Sequence, residues 1–160
     1  MSHKRRLAQA AMAMWLAVPA IGQRKPAPDF RLESAGRSSV QLSKYKGKVV
    51  LLNFWATSCG GCKLEIPWFI GFQARYHSRG FVVIGVSMDD DGWKSVKPYL
   101  KEKKINYPIV LGNADLARRY GGVEALPLTM LIDRDGKIAA SYTGVVDKAA
   151  CETEIRALLR

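Results

Sequence analysis

The chain has 160 residues, enough for one domain with a real core. Of its net charge of +11, five charges come from Lys4, Arg5, Arg6, Arg24 and Lys25, with no acid among the first 25 residues. The remainder is modestly basic and does not interleave basic with aromatic residues, so no nucleic-acid platform is expected.

Residues 1–25 read as an export signal or membrane anchor with its linker. Ser2 to Arg6 form a positive n-region, and Leu7 to Gly22 are mostly apolar. As a helix this run reaches about 24 Å, short of the ~30 Å hydrocarbon core. Val18-Pro19-Ala20 and Ala20-Ile21-Gly22 offer small residues for cleavage. The Arg5-Arg6 pair is compatible with twin-arginine export. The leader holds no cysteine, which argues against a lipid anchor. The expected location is periplasmic or otherwise extracytoplasmic, with a disordered cytosolic tail as the competing reading.

Residues 23–29 read as a linker into a domain over 26–160. Phe30-Arg31-Leu32 and Ser39 to Leu42 are short alternating runs around Ala35-Gly36-Arg37, an edge hairpin. Val49 to Trp55 is an unbroken apolar run, the pattern of a strand buried on both faces. A helix starts near Cys59 and runs to about His77, with Pro67 inside it as a kink point. Phe81 to Ser87 is a second buried strand. Asp89 to Gly92 form a solvated loop, with Asp91 placed to cap a helix over Trp93–Lys103. Tyr107 to Leu111 is a short strand, Ala114 to Tyr120 a short helix, and Leu128 to Asp133 a strand. Asp135-Gly136 is a hairpin turn returning through Lys137 to Thr143. Lys148 to Leu159 closes the chain as an amphipathic helix. This order gives an α/β fold, with a mixed central sheet and helices on both faces.

The chemistry concentrates at Cys59-Gly60-Gly61-Cys62, a Cys-x-x-Cys at a strand-to-helix junction. Unpaired amides and the helix dipole there favour thiolate over thiol, and the thiolate attacks disulfides. By position Cys59 is the exposed nucleophile and Cys62 the buried resolving thiol. A disulfide across so short a loop adds little closure entropy, which favours a redox couple over a staple. The rival, half a zinc site, needs four ligands. Only Cys151, His77 and acids remain, at no paired spacing, so no metal is expected. Glu65 lies one turn beyond Cys62. It is either a solvated helix carboxylate or an acid that tunes the buried thiol or passes its proton. Trp55 is either a lid beside the dithiol or a core aromatic. Pro127, taken alone, is a trans loop proline. Cys151 reads as a buried or half-buried helix cysteine, and His77 as a surface residue.

Three segments carry a family resemblance: NFWATSCGGCKLEIP (Asn53–Pro67), ALPLTMLIDRDGKI (Ala125–Ile138) and PAPDFRLES (Pro26–Ser34). Together they resemble the thioredoxin superfamily, and within it the TlpA/ResA-like thiol–disulfide oxidoreductases of the AhpC/TSA-redoxin-like group. The resemblance implies a thioredoxin-like fold with an N-terminal hairpin and a central insertion over Trp93–Leu111. It implies catalysis by Cys59, Cys62 and Glu65, through a Cys59–Cys62 redox disulfide. It makes Pro127 a cis-proline facing the dithiol, with the Leu126 backbone offering strand-like hydrogen bonds to an extended substrate. Trp55, Leu126 and Pro127 are then the substrate-binding candidates. The implied partners are protein thiols and disulfides, with a membrane thiol-electron carrier as reductant and, in several members, apocytochrome c as client. No bound cofactor is expected, and the chain is expected to be a monomer.

Ser58 stands where many members carry Trp, Gly60-Gly61 replaces a commoner Gly-Pro or Glu-Pro, and Ala125 replaces a frequent glycine. Gly121-Gly122 adds a residue before the proline loop. These departures bear on redox potential and substrate surface, not on reaction class. A peroxidase-like redoxin is the enzyme rival. Its P-x-x-x-T-x-x-C pattern needs Pro and Thr where Leu52 and Ala56 stand. A redox-inert or metal-holding binding module is the non-enzyme rival. No histidine lies between the cysteines to stabilise the thiolate, so the expected direction is reduction of clients.

Overall fold

A computed structural model describes residues 24–160; residues 1–23, where the export-signal reading falls, lie outside them. Among the described residues no helix is long and apolar enough to cross a membrane.

The sheet is built outward from β3 (Val49–Trp55), whose seven residues are all buried. Branched and aromatic side chains on both faces account for this: neither face can be given to water. Val49, Leu51 and Trp55 point into one core, and Val50, Leu52 and Phe54 into the other. β4 (Phe81–Ser87) pairs parallel to β3, and β6 (Leu128–Ile132) antiparallel on its other side. β5 (Ile109–Leu111) and β7 (Ile138–Thr143) form the edges, giving the order β5-β4-β3-β6-β7. The mixed five-stranded sheet is thioredoxin-like, as the sequence leads one to expect.

α1 (Gly60–Tyr76), α2 (Trp93–Lys103) and α4 (Lys148–Leu158) contribute Ile66, Phe69, Val96 and Ile155 to one core. α3 (Ala114–Arg119) covers the opposite face. It is joined there by the hairpin of β1 (Arg31–Glu33) and β2 (Ser39–Gln41), through Leu116, Phe30 and Val40. Gln73 ties α1 to the sheet, its Oε1 accepting the Val83 N–H at 2.8 Å.

Two local expectations change. The segment expected as a linker is a strap: Lys25 O accepts the Ile138 N–H, Ala27 N–H donates to Gly136 O, and Arg24 pairs with Asp133. Exposed polar composition concealed main-chain pairing with β7. Asp91 does not cap α2. Gly92 is the N-cap, and the Asp91 carboxylate instead accepts from the Ser95 hydroxyl.

Candidate active site

β3 ends at Trp55, and the turn of residues 56–58 delivers Cys59 as the N-cap of α1. Cys59 has extended backbone angles, so its side chain leans over the first helical turn. Its Sγ accepts the Cys62 N–H at 3.2 Å. The two cysteines form a disulfide. Cys59 is half-buried, whereas Cys62 is 1% exposed. Of the pair, Cys59 has surface open to solvent and Cys62 has almost none. Cys62 is held inside because α1 buries that face together with Ile66 and Phe69.

The Leu126–Pro127 peptide is cis. Pro127 packs beside the dithiol turn: a Cβ added at Gly61 would lie 3.3 Å from Pro127 Cδ and 2.8 Å from Val145 Cγ2. One added at Gly60 would meet open space. The second glycine thus lets the proline loop approach the helix start, and the first does not face it. Leu126 is partly buried and touches both cores. Leu64 of α1 and Val145, which lies against Gly61, expose large apolar side chains, at 60% and 45%.

Glu65 is not a solvated carboxylate. It is 0% exposed, one helical turn from Cys62, and its Oε1 accepts the Val146 N–H at 2.7 Å. Its Oε2 has no partner among the described residues. Burial pushes this carboxyl up to about 7, while the Val146 N–H pulls it down. Glu65 can therefore hold or release a proton inside the protein near neutral pH.

Trp55 takes the core alternative. It is 1% exposed and packs at a tilt against Tyr99 of α2 with centroids 5.4 Å apart, so its ring offers no face to a client. The reason is register: Trp55 falls on the α1/α2 face of β3, and α2 covers it. Cys151 is free and fully buried, and burial pushes its thiol up to about 12, with Glu154 and Glu65 adding to the effect. That thiol is inert at ordinary pH. Among the described residues no group of acids, histidines and cysteines has the clustering of a metal site.

Two supports of the site lay outside the sequence expectation. Asp89 is half-buried, not solvated. Its carboxylate accepts the Thr57 N–H at 3.1 Å and both the Thr57 and Ser87 hydroxyls, pinning the turn that precedes Cys59. Asn53 donates to Thr129 Oγ1 at 3.0 Å in a buried link between β3 and β6, just past the proline loop. The Thr57–Asp89 and Asn53–Thr129 links join residues 32 and 76 apart in sequence. The only available signal was a polar residue inside an apolar strand, Asn53.

The sequence profile of the family described as Redoxin matches residues 22–159. The chain belongs to the redoxin family. Thiol-disulfide oxidoreductase ResA of Bacillus subtilis (strain 168) is 31% identical over 137 residues, covering 86% of this chain and 76% of that protein. ResA of Geobacillus thermodenitrificans is 33% identical, covering 76% and 70%. A thiol:disulfide interchange protein of the thioredoxin family from Chlorobium tepidum TLS superposes with TM-score 0.80 at 29% identity, over 88% of this chain and all of that one. Within the redoxins this chain is thus a TlpA/ResA-like redox enzyme, a thiol–disulfide oxidoreductase.

Proposed function

We propose that the enzyme reduces protein disulfides outside the cytosol, with residues 1–25 as export signal or anchor and 26–160 as the catalytic domain. The observation that carries the reading is the asymmetry of the pair. Cys59 is reachable at a helix N-terminus, and Cys62 is sealed beside a buried acid.

In the reduced enzyme the Cys59 thiolate attacks one sulfur of a client disulfide. A mixed disulfide forms and the client's other sulfur leaves as thiolate. Cys62 then loses its proton, attacks Cys59 Sγ, and expels the second client thiolate. Two electrons pass to the client, and the Cys59–Cys62 disulfide remains. Glu65, one turn away, takes the Cys62 proton in this step. The backbone at Leu126-Pro127 holds the client segment as an added strand. A membrane thiol-electron carrier restores the dithiol, and apocytochrome c is one client to test.

An ionised Glu65 opposes a thiolate on Cys62, which keeps the couple reducing. Insulin reduction measured beside peroxide consumption, with equilibration in glutathione buffers, tests this reading. Insulin turnover, negligible peroxide consumption and a potential below about −180 mV, the level of a disulfide isomerase, are expected. A more oxidising potential would make disulfide formation or isomerisation the function instead.

A further inference from the structure

The pole of the sheet opposite the dithiol carries a net positive charge: Arg24, Lys25, Lys46, Lys48, Arg134 and Lys137 stand against Asp29, Asp133 and Asp135. Lys46 and Lys48 lead into β3, and Lys137 begins the return to β7. These three lysines border one cavity of about 380 Å³, whose floor is Leu42, Tyr45, Val50 and Ile132. None of the three has a salt bridge to a described residue. Arg134 adds a charge that no carboxylate among the described residues neutralises; its guanidinium donates to the carbonyls of Gly47, Arg79 and Leu159. Three acids share this pole. Asp29 is held by Gln41 and the Ser43 N–H, Asp133 by Arg24 and the amides of Asp135 and Lys137, and Asp135 is exposed.

The chain also enters the fold here. Lys25 and Arg24 are strapped to β7 and Asp133 beside the same cavity. The described chain therefore begins at the basic pole, at Arg24. β3 separates this pole from the dithiol by roughly 20 Å, at ~3.3 Å per residue.

We propose that this pole is a docking face for an anionic lipid bilayer, turning Cys59 away from the surface toward soluble clients. Exposed lysines without salt-bridge partners, of which Lys48 lies over the Tyr45 ring, are attracted to anionic headgroups within a Debye length, and the apolar-floored cavity behind them admits part of a lipid. The inference rests on the charge distribution and not on the redox direction proposed above.

The test is sedimentation of the full chain with phosphatidylcholine vesicles, with and without phosphatidylglycerol. A Lys46→Gln/Lys48→Gln/Lys137→Gln variant is compared with wild type. Residues 1–23 are common to both, so their contribution cancels. The wild type should prefer anionic vesicles, and the triple variant should lose at least tenfold of that preference while reducing insulin normally. Salt at 0.5 M or above should erase the difference, where screening is short-ranged. A matching Lys97→Gln/Lys101→Gln/Lys104→Gln variant on and after α2 should keep the preference. Equal preference in the first variant, or its loss in the second, would overturn the assignment. So would weak vesicle binding by the wild type beside tight binding to polyglutamate, which would mark an acidic protein partner.

Discussion

The Val146 N–H donates to Glu65 Oε1 at 2.7 Å, joining the loop before α4 to the first turns of α1. That single bond is what the carboxyl receives in exchange for complete burial, and it does not offset the loss of water: the group is pushed up to about 7 from 4.5. The sign of the linkage follows. Between pH 4.5 and 7 the folded state keeps a proton that the unfolded state has lost. The contribution of Glu65 to the stability of the oxidised protein should therefore fall as pH rises through that window, by about 3 kcal/mol, and be constant outside it, while Asp29, Asp133 and Glu152, held below the usual carboxylate range, cost stability only at more acid pH. Urea unfolding of wild type and Glu65→Gln from pH 4 to 8.5 checks this: the substitution should flatten the slope. An unchanged slope would assign the pH dependence to another group.

The same group gives a kinetic expectation. If Glu65 takes the Cys62 proton during resolution, its ionisation should appear in the pH dependence of single-turnover release from a mixed disulfide. Release should rise through about pH 7 in wild type. In Glu65→Gln it should be slower by ~10²-fold or more near neutrality, the lower end of the usual general-base contribution. A stopped-flow profile of the same shape in both proteins would leave the carboxylate with a structural role only.

The two glycines of the active-site turn should behave differently. Gly60 faces open space at the start of α1, so Gly60→Ala should be neutral or stabilising by roughly 0.5–1 kcal/mol. Gly61→Ala places a methyl against Val145 and Pro127 and should cost about 1–3 kcal/mol. Adding Val145→Ala should recover part of that loss, because the closer of the two contacts disappears. Thermal unfolding of the four proteins reads the pattern.

Most of the fold was legible because its signals are local and redundant. The apolar run at Val49–Trp55, the second at Phe81–Ser87 and the Asp135-Gly136 turn each specify an element without outside help. The cysteine pair was legible for the same reason: junction and spacing sit within a few residues. What stayed hidden was pairing across the sheet. The alternation of β3 shows that Trp55 shares a face with Leu51, but not that Tyr99 lies over it. Glu65 was ambiguous because the group that receives it is a backbone amide 81 residues on, and an amide leaves no mark in sequence. Asp89 sits in an acidic run that reads as solvated, yet its acceptors are spent on Thr57 and Ser87.

Asp89 should accordingly matter more than its loop position implies. Asp89→Ala leaves the Thr57 N–H and the Thr57 and Ser87 hydroxyls without their acceptor. Each loss of a charge-assisted bond costs about 1.5–3 kcal/mol in a buried setting, less where water can replace it. A destabilisation of about 2 kcal/mol is expected, with slower insulin reduction because the turn holding Cys59 loosens. Asp89→Asn keeps an acceptor oxygen and should be the milder change. Equal midpoints for wild type and Asp89→Ala in urea would mean the carboxylate does not hold the turn.

The division of labour between the two sulfurs makes the sharpest prediction. Cys59 is the half-buried member of the pair and its Sγ accepts an amide of the first turn of α1, whereas Cys62 is 1% exposed. Attack on a client must then begin at Cys59, and only release can depend on Cys62. Cys59→Ser should lose insulin reduction to background, since the serine hydroxyl is neither ionised nor nucleophilic at neutral pH. Cys62→Ser keeps the first step and loses the second, so it should accumulate as a covalent adduct with client, visible on non-reducing gels and released by dithiothreitol. Cys151→Ser should alter neither result, because that thiol is buried and pushed up to about 12. Mass spectrometry of the trapped adduct locates the bond. A client attached to Cys62 in the Cys59→Ser protein, at a yield matching the reverse variant, would show that the buried sulfur is reached directly and would reverse the assigned roles.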